Sequence, residues 1–294
     1  MNTMGGDHPA GAAKSPRLTV IVPAYNSRIG LGELLASLNA SSLRDFEVVI
    51  NDDRRSSDDA EGLARSFREK GMLIRYLREN TGIGQARKAA SRQALGDILL
   101  HLDSDMEVTA GLLQECVRLI DGGLDALVIP EESFGTTFWA RCKWLEKKCY
   151  DGDDRIESLR CLKRSLYEQV GGHDERMCLS EDKDLDIRVR AVTKKIGRTT
   201  CHLRHNEGHL TLRKTVSKKM FYARSVDIFL KKDPEACRWE MSPWSRLALF
   251  FGRRRLFAAH PVLYAGMLFM KICEFGGAGA VYALYKMGLY GRGR

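Results

Sequence analysis

Asp97-Ile98-Leu99-Leu100-His101-Leu102-Asp103-Ser104-Asp105 reads as an apolar strand that runs straight into two carboxylates spaced two residues apart. Two carboxylates at the end of a strand can share one divalent cation, because hard ions such as Mg²⁺ or Mn²⁺ prefer oxygen ligands. Such ions seldom receive a full protein cage and complete their shell with water and substrate phosphates. The pair therefore points to a diphosphate-bearing ligand.

Working outward, the same pattern repeats. Leu18-Thr19-Val20-Ile21-Val22 is a β-branched run stopped by Pro23, and a helical spacing follows through Leu31, Leu34, Leu35 and Leu38. Phe46-Glu47-Val48-Val49-Ile50 predicts a second strand ending in Asn51-Asp52-Asp53. A helix is expected near 60–70, a strand over 72–77, a helix near 85–95, the strand over 97–102, a helix over 110–120 and a fifth strand over 124–129 before Pro130. Strand alternating with helix this regularly implies an α/β fold with a mostly parallel sheet flanked by helices. Ligands in such sheets sit outside the carboxyl ends of the strands. Pro23-Ala24-Tyr25-Asn26, Asn51-Asp52-Asp53 and Asp103-Ser104-Asp105 all fall at those ends, so three polar clusters should converge on one rim.

The chain has 294 residues and a formal net charge of +9, unevenly spread. Residues 213–294 carry 16 Lys+Arg against 5 Asp+Glu, a balance of +11, which leaves residues 1–212 at −2. The basic end calls for an anionic partner of its own. Eight cysteines lie scattered without a Cys-x-x-Cys, poor spacing for zinc and too sparse for a disulfide scaffold, so buried thiols in a reducing compartment are expected. Residues 1–16 are rich in Gly and Ala with no apolar core, which predicts disorder rather than a signal peptide or anchor.

Taken together, Val20-Ile21-Val22-Pro23-Ala24-Tyr25-Asn26, Val48-Val49-Ile50-Asn51-Asp52-Asp53 with Ser56-Ser57-Asp58, Asp103-Ser104-Asp105 and Glu181-Asp182-Lys183-Asp184-Leu185 resemble the family 2 glycosyltransferases of the GT-A fold, a Rossmann-like architecture. The resemblance covers about residues 17–212, with the motifs in the family's order. It implies a nucleotide diphosphate sugar, UDP- or GDP-linked, as donor, with Pro23, Tyr25, Asn26, Asp52 and Asp53 near base and ribose and Ser104 at the donor. The family's usual Asp-Asp-Gly-Ser-x-Asp is replaced here by Asp52-Asp53-Arg54-Arg55-Ser56, which leaves open whether Asp52 or Asp53 meets the base.

Asn80-Thr81-Gly82-Ile83-Gly84-Gln85-Ala86-Arg87-Lys88 resembles the family's Gly-bearing turn into a helix, where Arg87 would meet a phosphate. Asp103 and Asp105 would hold Mg²⁺ or Mn²⁺ on the donor diphosphate, with Asp105 the stronger ligand. Among His202, His205 and His209, which follow a strand expected over 199–203, His205 is the further metal ligand. The match makes Asp182 the general base and sets Glu181 beside it, although acids at a helix start also meet the dipole. By resemblance the transfer inverts the anomeric carbon. The chain lacks the Gln-x-x-Arg-Trp of processive members, so one sugar per transfer is expected. No early Gly-x-Gly-x-Arg supports a nucleotidyltransferase.

From 213 to 255 Lys and Arg interleave with aromatics, as in Lys218-Lys219-Met220-Phe221-Tyr222 and Phe250-Phe251-Gly252-Arg253-Arg254-Arg255. Residues 256–290 are apolar but interrupted by Lys271, Glu274 and Lys286, so a basic, amphipathic helical region lying in a membrane interface is expected rather than a bilayer span. Anionic lipids attract such a surface by about 1 kcal/mol per nearby cation. The expected location is the cytoplasm, peripherally at the inner face of the cell membrane, with a membrane-borne acceptor: a lipid-linked sugar hydroxyl or a polyprenyl phosphate. A nucleotide- or RNA-binding protein with a degenerate site is the alternative reading. Apolar helices behind a basic patch have no use on nucleic acid, which argues against it.

Overall fold

The computed structural model describes residues 15–80, 82–223 and 225–289. The disorder expected of residues 1–16 thus concerns mostly residues outside those described; Ser15 and Pro16 are irregular. The chain builds β1 (Leu18–Ala24), α1 (Arg28–Asn39), β2 (Phe46–Asp53), α2 (Ala60–Glu69), β3 (Ile74–Asn80), α3 (Ile83–Arg92) and β4 (Ile98–His101). There follow β5 (Met106–Val108), α4 (Leu112–Asp121), β6 (Ala126–Val128), β7 (Glu131–Phe134), α5 (Phe138–Tyr150) and β8 (Leu159–Lys163). Next come α6 (Arg164–Gln169), α7 (Glu181–Val192), β9 (Ile196–Arg198) and β10 (Leu203–Asn206). Helices alone make the rest: α8 (Leu212–Ala223), α9 (Val226–Lys232), α10 (Pro234–Met241), α11 (Pro243–Gly252), α12 (Arg254–Ala259) and α13 (Pro261–Lys286).

The main sheet has the order β3-β2-β1-β4-β8-β6-β9. All neighbours are parallel except β8, which runs antiparallel to both β4 and β6. A second sheet, β5-β10-β7, stands beyond the carboxyl ends. Every residue of β2 is buried, as a strand covered on both faces requires. Leu31, Leu34, Leu35 and Leu38 are fully buried on α1 against one face, and Ala90, Ala94, Leu185 and Val189 cover the other. The cysteines are all free, five of them buried.

Two expectations shift. No strand forms over 199–202: the Glu115 carboxylate accepts from the amides of Thr200 (2.9 Å) and Cys201 (2.8 Å) and from the Thr200 hydroxyl (2.8 Å), so those donors leave the ladder. The strand starts at Leu203, and His205 lies within it, paired to Met106 on one side and Ser133 on the other. The strand expected over 124–129 is only three residues long, ending before Pro130.

The C-terminal helices pack on α5 and against α7 and the segment before it. Lys232 Nζ bonds the carboxylates of Asp174 (2.9 Å) and Asp184 (2.6 Å). Helix α13 is long and apolar enough, by length and composition, to cross a membrane. Two of its three interrupting charges turn inward, Lys286 staying exposed: Lys271 meets Glu146 of α5 (2.6 Å) and Glu274, while Glu274 also accepts from Thr215 of α8. Lys143 closes this buried network on Glu146 at 2.9 Å. The outward line Val262, Ala265, Phe269, Ile272, Gly276 and Ala283 is exposed and apolar. A helix with Lys271 and Glu274 inside and an apolar stripe outside reverses the pattern of a soluble surface helix along most of its length.

Candidate active site

Strand register brings the three polar clusters to one rim. Ala24 pairs with Asp52 and Ile21 with His101, so the residues just past β1, β2 and β4 lie level across neighbouring strands. Gly30 on α1 backs the Asp103–Asp105 turn so closely that a Cβ there would sit 2.8 Å from the Ser104 carbonyl oxygen.

Asp52 is buried and accepts from the Ser56 hydroxyl (2.6 Å) and the Tyr76 hydroxyl (2.7 Å). Asp53 takes the Nε and Nη2 of Arg55 at 2.9 and 2.7 Å, which holds its carboxyl below the usual range. Arg55 therefore closes on Asp53. Arg55 also stands over the Tyr25 ring at 5.6 Å, and Tyr25 is exposed above this loop. Asn26 adopts φ 46°, a left-handed conformation that Asn tolerates, and its side chain accepts from the Ser57 amide at 2.8 Å. It therefore pins the β2 loop. Pro23 is half-buried at the end of β1.

Arg87 is 2% exposed, and its Nη2 donates to Asp103 Oδ1 at 2.5 Å. Its Nε lies 3.5 Å from Glu181 Oε1, and neither Nε nor Nη1 has a hydrogen-bond partner among the described residues. Behind it, His101 stacks on Tyr167 (5.4 Å) and against His173 (4.7 Å). Burial and the charges of Arg87 and Arg160 keep the His101 imidazole far below its usual range, hence neutral. Arg160 of β8, which no local sequence signal marks, reaches Asp103 Oδ2 at 3.4 Å and also binds Glu131. Burial alone would raise the Asp103 carboxyl, but Arg87 and Arg160 bring it to about 2.

His205 sits between two carboxylates, its Nε2 3.3 Å from Asp105 Oδ2 and its Nδ1 3.7 Å from Glu131 Oε2. Burial pulls the imidazole down, yet the pull of the Asp105 and Glu131 carboxylates outweighs it and holds it up at about 9. The expected trio of Asp103, Asp105 and His205 does not close into a cage, and among the described residues no group of three His, Cys, Asp or Glu is arranged as one. Both oxygens of Asp103 are already taken by arginines. Asp105, half exposed with Ser104 beside it, is the carboxylate left facing solvent. An exposed carboxylate, with waters and phosphate oxygens for the remaining positions, fits Mg²⁺ or Mn²⁺, and His205 could join it only on giving up its proton. The unmatched N–H groups of Arg87 fit a diphosphate.

Glu181 and Asp182 open α7, preceded by Ser180 at φ 54°. Backbone strain in a non-glycine residue beside two carboxylates is typical of functional sites. Burial, then the charge on Asp182, lifts Glu181 to about 7. Asp182 is half-buried and caps the Lys183 amide at 2.8 Å. Sequence reasoning missed the far wall. Ser180 Oγ donates to Glu240 of α10 at 2.9 Å, and the Tyr222 hydroxyl of α8 is pushed up to about 12 by burial and by the charges of Glu181, Asp103 and Asp105. His202 and His209 stay outside the site: His202 faces Glu132 at 3.5 Å and His209 is exposed.

Residues 19–169 match the model of the family described as "Glycosyl transferase family 2". Over 104 residues the chain is 38% identical to the uncharacterized glycosyltransferase YfnE of Bacillus subtilis, covering 35% of this chain and 26% of that one. Over 111 residues it is 29% identical to the GalNAc(5)-diNAcBac-PP-undecaprenol β-1,3-glucosyltransferase of Campylobacter jejuni, covering 37% and 36%. The chain thus spans only a quarter to a third of these relatives. Staphylococcus aureus TarS in complex with UDP superposes with a TM-score of 0.57 at 18% identity over 92% of both chains. The mannosyltransferase PcManGT of Pyrobaculum calidifontis, in complex with GDP-Man and Mn²⁺, gives 0.56 at 18% identity over 94% and 81%. The sheet order and these superpositions agree on a GT-A fold, and with the family match over half its length the chain belongs to glycosyl transferase family 2.

Proposed function

We propose that the chain transfers one sugar from a UDP- or GDP-linked donor to a membrane-borne acceptor, a lipid-linked sugar hydroxyl or a polyprenyl phosphate, with inversion. The observation that carries this reading is Arg87, a buried guanidinium set between Asp103 and Glu181 with two N–H groups unmatched. A diphosphate at the rim would satisfy them. Pro23, Tyr25 and Asp52 would line the base and ribose, and Asp53 and Asn26 shape that loop. Asp105, with His205 beside it, would hold Mg²⁺ or Mn²⁺, which when bound neutralises charge on the leaving diphosphate.

In the step itself, the acceptor oxygen bonds to the anomeric carbon as the bond from that carbon to the diphosphate oxygen breaks. The diphosphate keeps the electron pair. A hydroxyl acceptor gives its proton to Asp182, while a phosphate acceptor has none to give and Asp182 positions it. Glu181, lifted to about 7, sits beside the base in a dry corner.

The Campylobacter relative is named for an acceptor carried on an undecaprenol diphosphate, which supports a lipid-borne acceptor here. The basic stretch 213–294 and the outward apolar stripe of α13 support docking on an anionic lipid surface, at the inner face of the cell membrane. We read 17–212 as the catalytic unit and the helices after it as the docking region.

The test is a thermal-shift panel of UDP- and GDP-sugars with Mn²⁺ on wild type and Asp105→Ala. A donor-specific rise in melting temperature that Asp105→Ala loses supports the reading. No rise with any nucleotide sugar sinks it.

A further inference from the structure

A cavity of about 330 Å³ opens at the outer edge of the main sheet, beside β9. Its walls come from the end of α7 (Arg190), the link to β9 (Lys194), β9 itself (Ile196, Arg198), Val128 of β6, and Asp154 in the loop after α5. Arg190 is eight residues past Asp182 on α7, about 12 Å along the helix at 1.5 Å per residue. The cavity is therefore a place apart from the donor rim.

Three cations face one acid in this wall. Each arginine has one firm partner: Arg190 Nε donates to Asp186 Oδ1 at 2.9 Å, and Arg198 Nη2 to Glu157 Oε2 at 2.5 Å. Asp154 is the carboxylate they share, and it is held loosely. Its Oδ2 lies 3.4 Å from Arg190 Nη1 and its Oδ1 3.6 Å from Arg198 Nη2, beyond the roughly 2.7–2.9 Å of a well-made charged bond. The Asp154 side chain is also 61% exposed. Meanwhile Arg190 Nη2 and Arg198 Nη1 are buried with no hydrogen-bond partner among the described residues. Buried donors left unmatched are costly, so the wall is short of acceptor oxygens.

Two features make the place fit for an incoming anion. The last carbonyls of α7 would repel one, but the Thr193 amide bonds the Val189 carbonyl (3.0 Å) and Lys194 Nζ the Arg190 carbonyl (2.9 Å). The Asp154 backbone is tied independently of its carboxylate, because Lys183 Nζ bonds its carbonyl oxygen at 2.8 Å. The carboxylate can thus swing into solvent while the loop stays in place.

We propose that this cavity binds a small organic phosphate, whose phosphate displaces the Asp154 carboxylate from Arg190 and Arg198 and whose carbon skeleton lies over Val128 and Ile196. A phosphate has oxygens enough to serve both guanidinium forks at once. Lys194, which forms no ion pair among the described residues, adds a third cation from the rim. The volume falls at the small end of the range for small-molecule sites, about 300–1,000 Å³.

The experiment is calorimetric titration of the 294-residue chain, without metal or nucleotide, using phenyl phosphate, inorganic phosphate and phenol. Phenyl phosphate is expected to bind tightest, inorganic phosphate more weakly and phenol not at all. Arg198→Gln should raise the phenyl phosphate Kd about tenfold, as loss of a charged hydrogen bond does. Lys194→Gln, at an exposed position, should raise it about threefold. Asp154→Asn removes the internal competitor and should lower it about threefold, a gain that misfolding does not produce. Inorganic phosphate binding as tightly as phenyl phosphate overturns the organic ligand. Wild-type affinity in Arg198→Gln and Lys194→Gln, or no gain in Asp154→Asn, overturns the site. All three residues lie outside the donor site, so these variants should keep the wild-type thermal shift with nucleotide sugars, and failure of that panel leaves this test untouched.

Discussion

Arg87 Nη2 lies 2.5 Å from Asp103 Oδ1 while Arg87 Nε lies 3.5 Å from Glu181 Oε1, so one buried guanidinium joins the donor-side carboxylate to the acceptor-side pair. Removing one partner of a buried ion pair leaves the other uncompensated, at a cost of about 3–5 kcal/mol. Arg87→Met should therefore destabilise the chain by that order in urea unfolding. It should also abolish the thermal shift from a nucleotide sugar. A variant as stable as wild type that still binds donor removes Arg87 from the site.

Glu181 gives the chain a pH dependence of known sign. Burial, then Asp182, raises its carboxyl from 4.5 to about 7 in the folded chain. Between those values the folded state keeps a proton that the unfolded state has released. Stability from this group is therefore full below about pH 4.5 and is lost as pH rises through 7. Glu181→Gln should flatten that fall by up to about 3 kcal/mol between pH 5 and pH 8. Urea unfolding of both proteins across that range checks it, and parallel curves count against the buried, charge-opposed carboxyl.

Gly30 tests the scaffold without touching a ligand-facing group. A Cβ there would stand 2.8 Å from the Ser104 carbonyl oxygen and 3.2 Å from the Asp105 Cα. Both are backbone atoms of the turn that presents Asp105, so the turn must move. Gly30→Ala should cost about 1–3 kcal/mol, as overpacking does, and weaken Mn²⁺-dependent donor binding more than tenfold. Calorimetric titration with nucleotide sugar and Mn²⁺ measures it; unchanged affinity means that the turn yields freely.

The sequence made local features legible and left distant ones hidden. Three β-branched or apolar runs announced β1, β2 and β4, and the polar residues after each fell on one rim because parallel strands share a direction. Arg160 and Glu131 could not be found that way. They come from β8 and β7, and meet Asp103 only through pairings that no periodicity encodes. His205 was expected after a strand and lies inside one, since Glu115 draws off the amides that would have extended it. Lys271 and Glu274 read as breaks in an apolar helix, yet they are partners of Glu146 and Thr215 across three helices.

That inward turn of charge sets the last prediction. Phe269 and Ile272 are 53% and 70% exposed on α13, on the side opposite Lys271 and Glu274. Apolar side chains this exposed gain by entering lipid, each contributing about 1.5–3 kcal/mol when fully buried. The helix is held to α5 and α8 by its buried charges, so it should lie along the surface of a bilayer with this stripe submerged, rather than cross it. The 294-residue chain should float with liposomes containing anionic lipid, and Phe269→Asp with Ile272→Asp should stay behind while keeping the wild-type melting temperature. Raising salt should weaken flotation without abolishing it, because the apolar contact persists when charge is screened. Binding that vanishes with salt and ignores both substitutions would assign the surface to a polyanion instead, with the steep salt dependence of nucleic acid.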